Sequence, residues 1–166
     1  MKALIVSTDR FEDIELTYPK YRLEEEGIEV EVGTADGKNI EGKHETEIEA
    51  DLKIKNAEID EYDLLVIPGG RSPEHLRLEA PEVTKLVEKF DTDGKVISAI
   101  CHGPQLLISA GILEDRKLTS YPSLKDDLKN AGAKFFDKSV VVDGNIITSR
   151  RPEDLPNFMK KTLEKL

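Results

Sequence analysis

The residues best equipped for chemistry are a lone cysteine and the histidine that follows it. Cys101-His102 comes directly after Val96-Ile97-Ser98-Ala99-Ile100, an apolar run that reads as a buried strand. It precedes Leu106-Leu107-Ile108-Ser109-Ala110-Gly111, which reads as a short helix closed by glycine. Small residues, Ala99 and Gly103, stand two positions to either side of the thiol, the steric pattern of a nucleophile elbow. Such a turn is too tight for larger flanking side chains. It projects the thiol over a helix start, where N–H groups and the helix dipole are expected to lower its pKa. Cys101 is therefore the candidate nucleophile, and His102 a candidate general base or acid.

Further polar groups fall where an open α/β sheet binds ligands, beyond the carboxyl ends of its parallel strands. The first strand leads to Asp9-Arg10-Phe11-Glu12. Asp63 to Ile67 leads to Gly69-Gly70-Arg71-Ser72-Pro73-Glu74, and Asn145 to Ser149 leads to Arg150-Arg151. Backbone N–H groups of Gly70 and His102 could form an oxyanion hole. The carboxylate needed to orient His102 could come from Glu12 or from Glu74. Each group also has a plainer reading: an acid at a helix start, a glycine turn, a surface carboxylate.

The elements that must position these groups alternate in type. Strands are expected at Lys2 to Ser7, Ile28 to Gly33, Asp63 to Ile67 and Val96 to Ile100, and shorter ones at Lys117 to Ser120, Lys134 to Phe136, Val140 to Val142 and Asn145 to Ser149. Helices are expected over Phe11 to Glu26, kinked at Pro19, Pro81 to Phe90, Leu124 to Asn130 and Glu153 to Leu166. Lys38 to Leu52 reads as an edge hairpin. The alternation implies an α/β, doubly wound, mostly parallel sheet.

Composition narrows the field. The 166 residues suit one domain, residues 1–166, with a substantial core. A formal net charge of −10 without a dense basic cluster argues against nucleic acid. No stretch approaches the roughly 18 to 20 apolar residues of a membrane span. His44, His75 and His102 lack metal-ligand spacing, so no metal is expected. One cysteine excludes an internal disulfide, and the start Met1-Lys2-Ala3-Leu4 reads as a strand, not a secretion signal, giving a cytoplasmic expectation. A single Gln and no Trp lean towards a thermophile.

These residues also carry a family likeness. Phe11-Glu12-Asp13-Ile14-Glu15-Leu16, Leu64 to Glu74 through Pro68-Gly69-Gly70-Arg71, Ile100-Cys101-His102-Gly103-Pro104-Gln105, Thr119-Ser120-Tyr121-Pro122 and Val140 to Asn145 closely resemble the ThiJ/PfpI superfamily, and within it the PfpI (intracellular protease I) branch. The resemblance implies a flavodoxin-like three-layer sandwich with Cys101 as nucleophile and His102 as general base. It implies that Glu12 lies protonated beside the thiol, and that Glu74 reaches His102 from a neighbouring subunit of a dimer or hexamer. Tyr121 and, less directly, Arg150 match positions near the pocket. After Gly42-Lys43-His44, close relatives continue with Gly-Tyr where this chain has Glu45-Thr46, a departure confined to the edge hairpin.

Three functions follow as expectations, none needing a cofactor. The first is a cysteine-dependent hydrolase acting on peptides. The second is a deglycase or glyoxalase-type enzyme acting on methylglyoxal or its adducts, through a hemithioacetal on Cys101. The third is a redox-sensing stress protein whose thiol oxidises to a sulfenic or sulfinic acid.

Overall fold

Strand β1 (Lys2–Ser7) is apolar on both faces, so it can only lie where helices cover both sides of a sheet. In the computed structural model, which describes residues 1–166, it is the near-central strand of a seven-stranded sheet. The chain continues through α1 (Asp13–Glu25), β2 (Glu29–Thr34), a small hairpin of β3 (Ile40–Glu41) and β4 (Glu47–Ile48), and β5 (Leu52–Lys53). Then come β6 (Leu64–Ile67), α2 (Ser72–Glu79), α3 (Glu82–Thr92), β7 (Val96–Ile100) and α4 (Pro104–Ser109). The last third holds β8 (Lys117–Leu118), α5 (Lys125–Asn130), β9 (Lys134–Phe135), β10 (Val140–Asp143), β11 (Ile146–Ser149) and α6 (Leu155–Lys165).

The sheet order is β10-β11-β7-β6-β1-β2-β5, parallel throughout except for β10, which pairs antiparallel with β11. Side-chain alternation divides the core into two layers. Leu4 and Val6 of β1 join Leu76, Phe90, Leu106 and Leu128 on the face covered by α2 to α5. Ala3 and Ile5 join Leu16, Leu23, Phe158 and Met159 on the face covered by α1 and α6. Each fully buried large apolar side chain contributes roughly 1.5–3 kcal/mol, so both layers are needed. The expected three-layer α/β sandwich is the fold.

Several local expectations need correction. The edge hairpin does not extend the main sheet: β3 and β4 pair only with each other, and β5 alone joins the edge, parallel to β2. Likewise β8 and β9 form a separate parallel pair. Helix α2, opened by Ser72-Pro73, had no counterpart in the sequence reading; proline in a first turn gives up only an N–H that has no helical partner. The expected helix over this stretch is α1, continuous from Asp13 to Glu25, and inside it Pro19 lacks the N–H that would bond the Glu15 carbonyl.

The carboxyl ends of β1, β6, β7 and β11 lie at one edge of four adjacent strands. The strand of the final hairpin that runs parallel to β7 is β11, so its end faces the same way as the cysteine corner. No helix is long and apolar enough to cross a membrane.

Candidate active site

Cys101 occupies the corner between β7 and α4 with φ +61°, the left-handed region that non-glycine residues enter at a cost of order 1–3 kcal/mol. Its surroundings fix it there. Its N–H donates to Ser149 O at 3.1 Å, its carbonyl accepts from Tyr121 N–H at 2.9 Å, and Gly103 N–H closes the turn on Ile100 O at 2.7 Å. A Cβ on Gly103 would stand 2.4 Å from the Ile67 carbonyl oxygen, which explains the small residue there.

The carboxyl next to the thiol belongs to Glu15, not Glu12. Glu15 is fully buried, and its Oε2 accepts the Gly69 N–H at 2.9 Å. Its Oε1 has no N–H or hydroxyl partner and lies at the floor of the cleft over Cys101. Glu12 is the residue before α1, and its carboxylate meets Lys43 Nζ at 3.3 Å and His44 Nε2 at 3.4 Å at the rim. Three residues of helix rise about 4.5 Å, so both glutamates share a helix face at different depths. A signal for this was present in the sequence. Phe11, Glu15, Pro19 and Leu23 recur every fourth position on the buried stripe, and a carboxyl in that register is a core position occupied by an acid.

Burial and the nearby charges set the protonation states. Desolvation pushes the Glu15 carboxyl up to about 8, against the Gly69 N–H and the thiol, which act the other way. Burial first, and then a charged Glu15, push the Cys101 thiol up; the Gly70 and His102 N–H groups oppose them. The expected lowering by a helix start is outweighed, because α4 is a single six-residue segment opening on Pro104 and the sulfur lies below the surface. Glu15 and Cys101 titrate as a pair, and two anions side by side are excluded. With the carboxyl protonated, its push on the sulfur disappears.

His102 Nδ1 lies 3.3 Å from the sulfur, although neighbours at an elbow usually point apart. Its ring stacks on Tyr121, centroids 5.0 Å apart and 25° between planes. Desolvation lowers its pKa, partly offset by the charge of Glu74, so the ring is neutral at pH 7. Glu74 of the same chain does not hydrogen-bond to it: Oε1 takes Arg71 Nε at 2.9 Å instead.

Gly70 has φ +70°, and a Cβ there would stand 2.4 Å from Glu12 N and 2.6 Å from Arg10 O. Glycine is therefore required for the β6 end to pass so close to the β1–α1 loop. Arg150 is not part of the cleft. Its guanidinium is held by Asp154 at 2.8 Å and Asp137 at 2.7 Å, and Pro152 reaches the cleft wall instead.

The rim is the β3–β4 hairpin, clamped by Asp13. Burial alone would raise that carboxyl, but the Thr46 and His44 hydrogen bonds win and hold it below its ordinary range. Its oxygens accept His44 N–H at 2.9 Å and Thr46 N–H at 3.0 Å. Glu12, Asp13 and His44 offer ligand atoms within 4.8 Å of one another. With both Asp13 oxygens committed to backbone N–H groups, the trio is a hairpin clamp, not an open coordination sphere. Above the floor the cleft opens to about 1110 Å³, room for a small molecule or a short peptide segment.

A doubly wound sheet with a strained cysteine corner over a buried acid defines a cysteine-elbow α/β protein. The sequence profile of the DJ-1/PfpI family matches residues 1–165, and the chain belongs to that family. It is 49% identical over 166 residues to a protein named deglycase from Thermococcus kodakarensis, covering 100% of this chain and 99% of that one. It is 47% identical, with the same coverage, to the deglycase PfpI of Pyrococcus furiosus. The solved structure of Schizosaccharomyces pombe DJ-1 superposes with a TM-score of 0.90 at 26% identity, covering 100% of this chain and 92% of that chain.

Proposed function

We propose that the protein is a cysteine-dependent enzyme of the deglycase or glyoxalase type, acting on a small reactive carbonyl such as methylglyoxal or its adducts with amines. The observation that carries this reading is the buried Glu15 carboxyl, pushed up to about 8, beside the Cys101 thiol. At neutral pH that acid holds a proton next to a nucleophile, the arrangement an aldehyde addition needs.

In the first step sulfur attacks the aldehyde carbon, the C–S bond forms and the carbonyl π bond breaks. The thiol proton goes to neutral His102 Nδ1, and the new alkoxide takes a proton from Glu15. Gly70 and His102 N–H groups offer hydrogen bonds to the charge that develops. For a 2-oxoaldehyde, Glu15 as carboxylate then takes the proton from the hemithioacetal carbon and returns it to the neighbouring carbonyl carbon, while the hemithioacetal hydroxyl proton passes to the former carbonyl oxygen, leaving a thioester beside a new hydroxyl. One carbon is oxidised as the other is reduced, so no redox partner is consumed. Water releases the resulting thioester as a 2-hydroxy acid, and the sulfur recovers its proton from His102; where the substrate is a hemiaminal adduct, its C–N bond breaks first, the hydroxyl proton leaves with the amine, and the aldehyde so formed enters the same step.

Supplied with methylglyoxal, or with a fresh methylglyoxal adduct of an amine, the purified protein should form the hydroxy acid and free the amine. Cys101→Ser should lower the rate by at least about a thousandfold while leaving the fold intact. Undiminished turnover by that variant would sink the proposal.

Peptide hydrolysis is the second reading, favoured by the 3.3 Å approach of His102 to the sulfur. It needs a carboxylate on the far ring nitrogen, which Glu74 of a neighbouring copy in a homo-oligomer would supply. Glu74→Gln separates the two readings: peptidase activity should fall and methylglyoxal turnover should survive.

A further inference from the structure

The corner between β6 and α2 turns one N–H, that of Gly70, to the Cys101 sulfur. The residues around Gly70 are each tied to the segment that joins β1 to α1. Gly69 N–H donates to Glu15 Oε2 at 2.9 Å, Arg71 N–H donates to Arg10 O at 2.8 Å, and Ser72 Oγ accepts Thr8 N–H at 2.9 Å. Gly70 is the one member of the corner left to face the sulfur. The first two ties use N–H groups that almost any residue would supply at those positions. The third needs a hydroxyl, so Ser72 is where side-chain identity enters.

A serine at a helix start ordinarily caps the free N–H groups of the first turn. Ser72 instead stands inside α2 as its first residue, and the cap position, Arg71, makes no side-chain bond to the helix. The Ser72 hydroxyl turns to β1. Ser7 Oγ lies 3.0 Å from it and itself donates to Thr8 O at 3.3 Å, so the Ser72 O–H donates to Ser7. Thr8 N–H, the two serine hydroxyls and the Thr8 carbonyl thus close a ring in which every donor is used. Ser7 and Ser72 are fully buried and Thr8 nearly so, beyond the reach of anything that covers the cleft from outside. At the other end of α2, two turns on and on the same face, Glu79 Oε2 accepts the Thr8 hydroxyl at 3.0 Å. Thr8 therefore holds α2 at both ends.

Accepting Cys101 as the reacting group, we infer that Ser72 is a positioning residue, whose hydroxyl holds the β6–α2 corner on β1 so that Gly70 N–H meets the sulfur and the oxyanion formed beside it. Alanine at this position would strand the Thr8 N–H without a partner in a buried site. The corner can relieve that only by moving, and it carries the Gly70 donor with it.

Ser72→Ala tests this through the only cysteine of the chain. Iodoacetamide reads the thiol without turnover: the sulfur forms a C–S bond, iodide leaves with the electron pair, and mass spectrometry of the intact chain follows the adduct. The titratable groups that face the sulfur, Glu15 from α1 and His102 from its own corner, are the same in both proteins. With the Gly70 donor displaced, less of the sulfur is thiolate at neutral pH. Alkylation should slow at least about threefold, and its rate–pH curve should move to higher pH. The sign is decisive, because looser packing around a buried thiol would speed the reaction instead. In methylglyoxal turnover kcat should fall at least about tenfold with KM within about threefold, since the donor serves a charge that develops after binding. Thr162→Val is the control. It removes a hydroxyl from another fully buried pair, Ser98 Oγ and Thr162 Oγ1 at 2.8 Å, and should leave both rates within about twofold. Unchanged or faster alkylation of Ser72→Ala, or equal slowing in both variants, would overturn the inference. Should Ser72→Ala not fold, Ser7→Ala opens the same ring one hydroxyl further out. It should slow alkylation about twofold, and no slowing there would overturn the inference equally. A parent protein that iodoacetamide leaves unmodified would overturn the nucleophile reading as well. Slower alkylation of Ser72→Ala in a protein that turns over no methylglyoxal would uphold the role of Ser72 and defeat only the proposed reaction.

Discussion

Glu15 and Glu12 stand three residues apart on one face of α1, yet one closes the floor of the cleft and the other is half-buried at its rim, its carboxylate turned to Lys43 and His44. The floor is made of groups fixed by buried contacts: Glu15 on Gly69, Cys101 on Ser149 and Tyr121, Gly103 against Ile67. The rim is a two-residue-per-strand hairpin with exposed charges, pinned through the Asp13 clamp. In the floor, burial turns small geometric facts into large energies: a carboxyl gains several pH units of proton affinity and a methyl has nowhere to go. At the rim, water and salt cut the same kinds of interaction to tenths of a kcal/mol. The contrast teaches that the groups which set reactivity lie below the surface, where burial magnifies their energies, and that the rim above them can vary at little cost.

The contrast can be broken first at a glycine. Gly70→Ala adds a Cβ 2.4 Å from Glu12 N and 2.6 Å from Arg10 O, backbone atoms that cannot swing aside, at φ +70°. Destabilisation of more than about 3 kcal/mol is expected, from overpacking and left-handed strain together. Urea unfolding measures it. A loss under about 1 kcal/mol would mean that the β1–α1 loop yields and that the floor is softer than its contacts imply.

Glu15→Gln is the next largest change, and it depends on pH. The folded protein holds the Glu15 proton up to about 8, whereas an unfolded glutamate releases it near 4.5. The unfolded chain therefore gains stability relative to the fold as pH rises between those values, and the penalty is constant above the upper one. Glutamine keeps an acceptor for Gly69 N–H and carries no charge to desolvate. The variant should be several kcal/mol more stable than the parent at pH 9, up to about 5 from the full difference between the two values, and nearly equal to it at pH 4. Thermal melts across that range check it, and matching slopes would show that Glu15 does not titrate as its burial implies. The same substitution removes the acid proton and should depress methylglyoxal turnover, a trade of stability against activity of the kind active sites show.

At the rim the effects are smaller and change sign. Glu45→Gly replaces a strained residue by one that takes φ +67° freely. A gain of about 1 kcal/mol or slightly less is expected, since glycine also raises the entropy of the unfolded chain. A loss in the melting temperature would show that the Glu45 side chain makes compensating contacts.

Much of the fold was legible because its signals are local. The strands Lys2–Ser7 and Val96–Ile100 are legible to the residue, because each is a run of apolar and small residues between polar stops. Cys101 and the glycine at position 103 were legible for the same reason, since an elbow is written in five consecutive residues. The pairing of β3 with β4 alone was not, because a strand of two residues carries no periodicity to read. Glu15 was overlooked for a different reason. All three acids in Glu12-Asp13-Ile14-Glu15 suit a helix start, and only the four-residue register that Glu15 shares with Phe11 and Leu23 sets it apart from half-buried Glu12. Arg150 had only a weak local signal, Asp154 four residues on; its second partner, Asp137 across the final hairpin, is brought to it only by the folded chain.

The smallest effect is the sharpest test of depth. Glu12→Gln removes a carboxylate that meets Lys43 at 3.3 Å and His44 at 3.4 Å, both with most of their side chains in water. An exposed pair of this kind contributes about 0.5 kcal/mol or less, falling further as salt rises. Stability should change within that margin, and the pH slope that Glu15 imposes should persist, trimmed only by the minor upward push that the Glu12 charge adds to the desolvation of Glu15. If Glu12→Gln flattened the slope between pH 4.5 and 8 instead, the titrating acid would be the one at the rim, and the assignment of the buried proton to Glu15 would fall.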